Sequence, residues 1–130
     1  MGYRSTVGFN IVFCTGEDRE RFALAAGNDW TTAAPLLNIG ERSISFREPW
    51  IKWYSEYKQV AALIAIVALA QELKEADGDD RIDSAGYFGR MGEDRNDNDE
   101  WSWDASGDGL PYGYDLGGMD RDIIIQGYSD

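Results

Sequence analysis

The first segment of the chain alternates between apolar and polar positions. Within residues 3–13, most odd positions are apolar and most even positions are polar or small, which predicts a β-strand with one face toward the core. Three acidic residues then precede a more apolar stretch, an order that suits the positive end of a helix dipole. We therefore expect a helix over about residues 16–26, ended by Gly27-Asn28.

The middle of the chain has a weaker pattern. Residues 29–42 contain Pro35 and several polar residues, which favours a loop, or a short turn of helix through Ala33–Leu37. Alternation returns in Ser43–Arg47 and in Trp50–Tyr54, on either side of Pro49. These segments predict two strands, or one strand interrupted at the proline.

A long apolar run predicts a buried helix. We expect this helix from Glu56 to about Ala76, with Ser55 as its N-cap. Residues Val60–Ala70 are all apolar, so the helix should lie against the sheet. The run is much shorter than the ~20 residues that a membrane-spanning helix needs.

Three further segments have strand patterns: Gly86–Gly92, Trp101–Trp103 and Asp122–Tyr128. The resulting order of strands and helices predicts an α+β fold, with an antiparallel or mixed sheet and two helices on one face. A ferredoxin-like arrangement is the simplest member of this class. The length of 130 residues indicates one domain, residues 1–130.

Composition excludes several kinds of chemistry. The chain has no histidine and one cysteine, Cys14, so it lacks Cys/His zinc sites, Cys–His nucleophile pairs and an internal disulfide. We find no phosphate-binding or nucleophile motif, and we expect neither enzyme activity nor a cofactor. The N-terminal residues lack a secretory signal pattern, so we expect the protein to act in the cytoplasm of the cell that makes it.

The negative charge is concentrated in the second half of the chain. The net charge is −12, yet residues 1–60 contain seven basic and seven acidic residues. The whole excess therefore lies in residues 61–130. Such a chain should repel nucleic acid and anionic membranes and attract basic partners.

The stretch Met91–Asp104, MGEDRNDNDEWSWD, holds six carboxylates and two tryptophans. It has four interpretations: a metal loop, a solvated turn, a pair of catalytic carboxylates, or a surface that a partner recognises. Clustered acids mixed with Asn usually form a solvated loop, and no supporting catalytic residue accompanies them. We expect Arg90 to pair with Glu93 or Asp94 and so order the start of this stretch.

The calcium interpretation fits only in part. A loop that begins at Asp94 has Asp99 where the EF-hand pattern needs glycine. A loop that begins one position after Trp103 fits better, although Asp replaces the final Glu and Pro111 opposes a flanking helix. Its candidate ligands are Asp104, Ser106, Asp108 and Asp115.

The tryptophans support a recognition surface. Trp101 and Trp103 lie on one side of any strand that contains them. Both can be core residues, but a half-exposed tryptophan among carboxylates also binds Arg or Lys through the face of its ring. The candidate partner-binding residues are Glu93, Asp94, Asp97, Asp99, Glu100, Trp101, Trp103 and Asp104.

Three blocks of sequence resemble a group of small proteins from tailed bacteriophages and prophages. They are the opening Met-Gly-Tyr-Arg-Ser-x-Val, the Ile51–Tyr54 segment Ile-Lys-Trp-Tyr, and Gly-Arg-Met-Gly-Glu-Asp followed by further acids. The group has no established common activity, so no functional residue is carried over. The resemblance implies a phage-encoded protein that acts in the cytoplasm of the bacterial host.

Three functional hypotheses follow. The first is an acidic, non-enzymatic inhibitor, such as a nucleic-acid mimic or an anti-CRISPR or other anti-defence protein. It would bind the basic surface of a host nucleic-acid-handling or defence complex. The second is a phage structural or assembly accessory that forms homo-oligomers through a sheet edge or through Trp50–Tyr54. The third is a small module stabilised by calcium.

Overall fold

The computed structural model describes residues 3–94 and 96–104. The strands are β1 (Ser5–Phe13), β2 (Asn38–Ile39), β3 (Ser43–Ile51), β4 (Ser84–Gly92) and β5 (Asn98–Trp103). The α-helices are α1 (Gly16–Ala26), α2 (Asn28–Ala33) and α3 (Lys58–Lys74), and single 3-10 turns span Ala34–Leu36 and Gly78–Asp80. The strand predicted at Asp122–Tyr128 lies outside the described residues.

The five strands form one antiparallel sheet in the order β2-β3-β1-β4-β5. The predicted α+β class is confirmed. The chain order β-α-β-β-α-β, with the sheet order β2-β3-β1-β4, is a ferredoxin-like arrangement. The fifth strand, β5, extends the sheet beyond β4.

The hydrophobic core lies between the sheet and the three helices. The apolar odd residues of β1, which include Phe9 and Ile11, belong to one buried cluster with Leu63 and Ile66 of α3. The Phe9 ring also stacks on Phe46 of β3, with the ring centroids 5.8 Å apart. Burial of each such side chain stabilises the fold by roughly 1.5–3 kcal/mol. These shared contacts show that α3 covers the sheet, as its apolar run predicts.

The segment before β2, predicted as a loop or as a short turn of helix through Ala33–Leu37, is largely helical, and its 3-10 turn at Ala34–Leu36 agrees with the second alternative. Gly27 has a φ of 56°, a conformation that ends α1 and lets the chain enter α2 directly. The hydroxyl of Thr31 donates to the Gly27 carbonyl at 3.4 Å, and Ala33 is buried. Pro35 lies in the first turn of a 3-10 helix, where its missing amide hydrogen costs no helix bond.

Helix α3 begins later than predicted. Its N-cap is Tyr57, and no side chain caps it, so the predicted capping role of Ser55 is wrong. The Tyr57 amide instead donates to the Tyr54 carbonyl at 3.0 Å, which closes a turn before the helix.

Strand β3 is continuous through the proline but contains an irregularity. Ser5 lies opposite Ile51, whereas Val7 lies opposite Glu48, so β3 has one more residue than β1 over this interval. Such an extra residue is a β-bulge. Trp50, within the bulge, has a φ of 64°.

Among the described residues, α3 and the shorter helices all fall short of the length and apolarity required to cross a bilayer.

Candidate functional site

Most of the predicted partner-binding residues lie on one hairpin. We call β4, β5, the connecting turn at residues 93–97 and the adjoining Asp104 the acidic hairpin. The Gly92 amide donates to the Asp97 carbonyl at 2.8 Å, and the Asp97 amide donates to the Asp94 carbonyl at 3.0 Å. The Asp94 carboxylate also accepts from the Asn96 amide at 3.1 Å. The acidic stretch is therefore a compact turn, and β5 begins at Asn98 rather than at the predicted Trp101.

Arg90 organises the acidic hairpin from within. Its guanidinium lies 2.5 Å from an Asp97 oxygen and 2.9 Å from an Asp99 oxygen, and it donates to the Ser5 hydroxyl at 3.0 Å. These contacts involve different carboxylates from the predicted partners, Glu93 and Asp94. The reason is the strand register, which places Arg90 directly opposite Asp99.

This ion-pair network shifts two pKa values. The hydrogen bonds from Arg90 and Tyr3 lower the pKa of Asp97. The hydrogen bond to Asp97 raises the pKa of Arg90 and outweighs the opposing effect of burial. Both ions are therefore stabilised in their charged forms at neutral pH.

The N-terminal segment supports the turn of the acidic hairpin. The Arg4 amide donates to the Glu93 carboxylate at 2.8 Å, and the Asp94 amide donates to the Tyr3 hydroxyl at 2.9 Å. That amide lowers the pKa of Tyr3, but desolvation and the Asp97 carboxylate outweigh it, so the pKa is raised. Gly92 permits this approach, because a Cβ atom there would lie 2.3 Å from the Tyr3 hydroxyl.

The two tryptophans occupy different environments. Trp103 is half-buried, packs over Gly86 and donates to the Ser84 hydroxyl at 3.1 Å. Trp101 is 41% exposed, stacks on Phe88 with centroids 4.3 Å apart, and donates to Gln71 at 3.2 Å. Trp103 thus belongs to the edge of the core, and Trp101 presents an accessible ring beside acidic residues.

The opposite side of the hairpin carries a small pocket. The Tyr87 hydroxyl donates to the Glu100 carboxylate at 2.6 Å. Tyr87, Met91 and Glu100 line a pocket of about 120 Å³ above Gly89. An aromatic ring, a thioether and a carboxylate together suit the stem and charged head of a basic side chain.

No group of carboxylates and cysteine within residues 3–94 and 96–104 is arranged to hold a metal ion. Asp104 is exposed. The other candidate calcium ligands, Ser106, Asp108 and Asp115, lie outside the described residues, so the calcium site stays a prediction.

Sequence reasoning missed the residues that hold the acidic hairpin in place. Tyr3, Arg4 and Ser5 are about ninety positions away from the turn they contact, and no sequence pattern signals that pairing. Alternation within β5 does signal that Asp99 and Trp101 share one side and Glu100 faces the other.

No family model, curated protein or solved structure matches the chain.

Proposed function

We propose that the chain is a non-enzymatic binding protein whose acidic hairpin binds a basic surface of a partner complex. The proposal rests on one observation. The acidic hairpin, which the N-terminal segment holds in place, presents several carboxylates and the half-exposed ring of Trp101. Residues 84–104 hold six carboxylates against two arginines. The hairpin therefore keeps a negative balance after Arg90 has paired with Asp97 and Asp99.

The internal contacts favour binding because they reduce its entropic cost. Glu93, Asp94 and Glu100 each accept a hydrogen bond from their own chain, so these carboxylates are already oriented. A surface that is ordered before binding loses less conformational entropy than a flexible acidic loop. Long-range attraction then speeds the encounter with a basic partner.

Resemblance to phage and prophage proteins supports a bacterial setting for this partner. A basic groove that ordinarily holds nucleic acid has the charge and the extended shape that an acidic hairpin complements. The partner we propose is therefore a host nucleic-acid-handling or defence complex, and the protein inhibits it by occupying that groove.

Charge-removing substitutions that keep the hydrogen bonds test the proposal. The triple variant Glu93→Gln/Asp94→Asn/Glu100→Gln retains a side-chain acceptor oxygen at each position and changes the net charge from −12 to about −9. A control with the same charge change replaces exposed acids elsewhere: Glu20→Gln/Glu72→Gln/Asp77→Asn. Both variants should keep the fold of the wild type.

The measurement is affinity capture from bacterial lysate at low salt, with quantitative mass spectrometry and elution by duplex DNA. We expect the wild type and the control triple to retain the same nucleic-acid-binding complex, and the hairpin triple to lose it. Equal capture by all three proteins would contradict a role for the acidic hairpin. Failure of duplex DNA to displace the complex would contradict nucleic-acid mimicry.

A further inference from the structure

A second surface feature lies at the junction between the end of β3 and the start of α3. It is an open groove of about 610 Å³, within the size range of small-molecule sites. Phe46 and Val60 are buried in its wall, while Leu36, Trp50 and Tyr57 remain between 43% and 46% exposed. The groove is therefore walled by apolar and aromatic side chains that packing leaves accessible.

The backbone at Trp50 is unusual for a large residue. Its φ of 64° is in the left-handed region, where the Cβ atom crowds the following carbonyl group. The Arg4 guanidinium donates to the Trp50 carbonyl at 3.1 Å and helps to hold this conformation. Trp50 lies within the bulge of β3, a distortion in which a residue can take a left-handed conformation, and its ring is half-exposed at the groove.

The charged side chains that line the groove have a net positive charge, with Arg4 and Lys52 against Glu48. Lys52 lines the groove and is half-buried, and no carboxylate of the described residues lies within ion-pair distance of its amine. Helix α3 starts at this groove with no capping side chain and no acidic residue in its first turn. Glu48 is the one carboxylate among the described lining residues, and Lys52 and Arg4 outnumber it.

We propose that this groove binds a small organic carboxylate with a flat apolar body. The body lies against Trp50 and Tyr57, and the carboxylate faces Lys52. This site adjoins the acidic hairpin at Arg4, whose backbone amide donates to Glu93 and which lines the groove. The positive charge of the groove is a local feature of an acidic protein. Partial burial of Lys52 strengthens its attraction for an anion, because nearby apolar walls exclude water.

A matched set of naphthalene probes tests the charge preference. The probes are 2-naphthoate, the neutral 2-naphthylmethanol and the cationic 2-naphthylmethylammonium. Isothermal calorimetry should rank their affinities in that order, although the net charge of the protein opposes the anion. The indole N–H resonance of Trp50 should shift on titration with 2-naphthoate, whereas that of Trp101 should not.

Three single substitutions locate the site. Lys52→Met removes the charge and keeps most of the unbranched apolar stem, so 2-naphthoate affinity should fall by about tenfold or more. Trp50→Gly should also weaken binding while the melting temperature stays level or rises, because glycine adopts the left-handed conformation without strain. Glu48→Gln should tighten 2-naphthoate binding, since it removes the opposing carboxylate.

Other results would overturn the assignment. The proposed carboxylate site would be contradicted if the cationic probe bound more tightly than 2-naphthoate. It would also be contradicted if 2-naphthoate showed no saturable binding at millimolar concentration, or if Lys52→Met left its affinity unchanged. Sedimentation that shows a dimer whose formation shields Trp50 would assign the groove to a second copy of the chain instead. A loss of melting temperature in Trp50→Gly with unaltered binding would leave Trp50 a structural residue only and would contradict its role in the site.

Discussion

Asp97 shows how one side chain links the shape of a surface to its charge. It accepts from Arg90 and Tyr3, and both hydrogen bonds lower its pKa. Asp97 therefore helps to hold the turn of the acidic hairpin in addition to contributing negative charge. The sequence shows the acid but not this pairing, because Tyr3 lies at the other end of the described chain.

The lowered pKa of Asp97 predicts a pH dependence of stability. The unfolded chain binds a proton at Asp97 at higher pH than the folded chain does, so stability rises with pH in the acid range. The contribution is complete above the ordinary carboxyl pKa of about 3.9 and is lost as pH falls through the lower, folded-state value. Asp97→Asn should lower stability at neutral pH and flatten this acid dependence.

Thermal unfolding between neutral pH and about pH 2 checks this prediction. Glu20→Gln is the control, since Glu20 is exposed and forms no ion pair with the described residues. If the stability of Asp97→Asn fell with decreasing pH as steeply as that of the wild type, Arg90 would not stabilise the fold through Asp97.

Thr6 gives a second prediction at this scale. Its side chain is fully buried, and its hydroxyl finds no hydrogen-bond partner among the described residues. Thr6→Val keeps the shape and removes the unsatisfied group, so the free energy of unfolding should rise by about 1 kcal/mol. Ser84→Ala is the contrast, because the Ser84 hydroxyl accepts from Trp103 and its loss should cost about 1 kcal/mol. Urea denaturation measures the free energy of unfolding of both variants. Destabilisation by Thr6→Val would contradict the conclusion that the Thr6 hydroxyl is buried without a hydrogen-bond partner.

The acidic hairpin depends on close packing between β4 and β5. A Cβ atom at Gly86 would lie 2.2 Å from the Trp103 ring, so Gly86→Ala must displace that ring. We expect a loss of about 1–3 kcal/mol and a changed near-ultraviolet circular dichroism signal. In a Trp103→Ser background the same substitution should cost much less. Equal costs in the two backgrounds would show that Trp103 does not pack over Gly86.

Local pattern predicted most elements but not their ends. The alternation in β1 and the apolar run of α3 reflect burial, and both elements exist where predicted, although α3 spans Lys58–Lys74 and is shorter than predicted. The early start of β5 was missed because Asn98, Asp99 and Glu100 have low strand preference and are held by pairing with β4. The predicted Ser55 cap was wrong because the turn between Tyr54 and Tyr57 delays the helix.

At the scale of the whole molecule, the described residues form two candidate binding surfaces of different charge. The acidic hairpin lies at the β5 edge of the sheet, and the positive groove lies where β3 meets α3. The sequence revealed the acidic stretch and its tryptophans as a candidate site. It did not reveal the groove, because that feature requires the bulge at Trp50, the uncapped start of α3 and the position of Arg4 together.

The most direct test of the central claim is the salt dependence of binding to the captured complex. Affinity would be measured from about 50 to 300 mM salt for the wild type, the hairpin triple and the control triple. We predict that the logarithm of the association constant falls steeply with the logarithm of salt concentration for the wild type and the control triple. The hairpin triple should bind more weakly at low salt and show a shallower slope. An affinity that is independent of salt, or the same slope for the hairpin triple as for the wild type, would contradict the account.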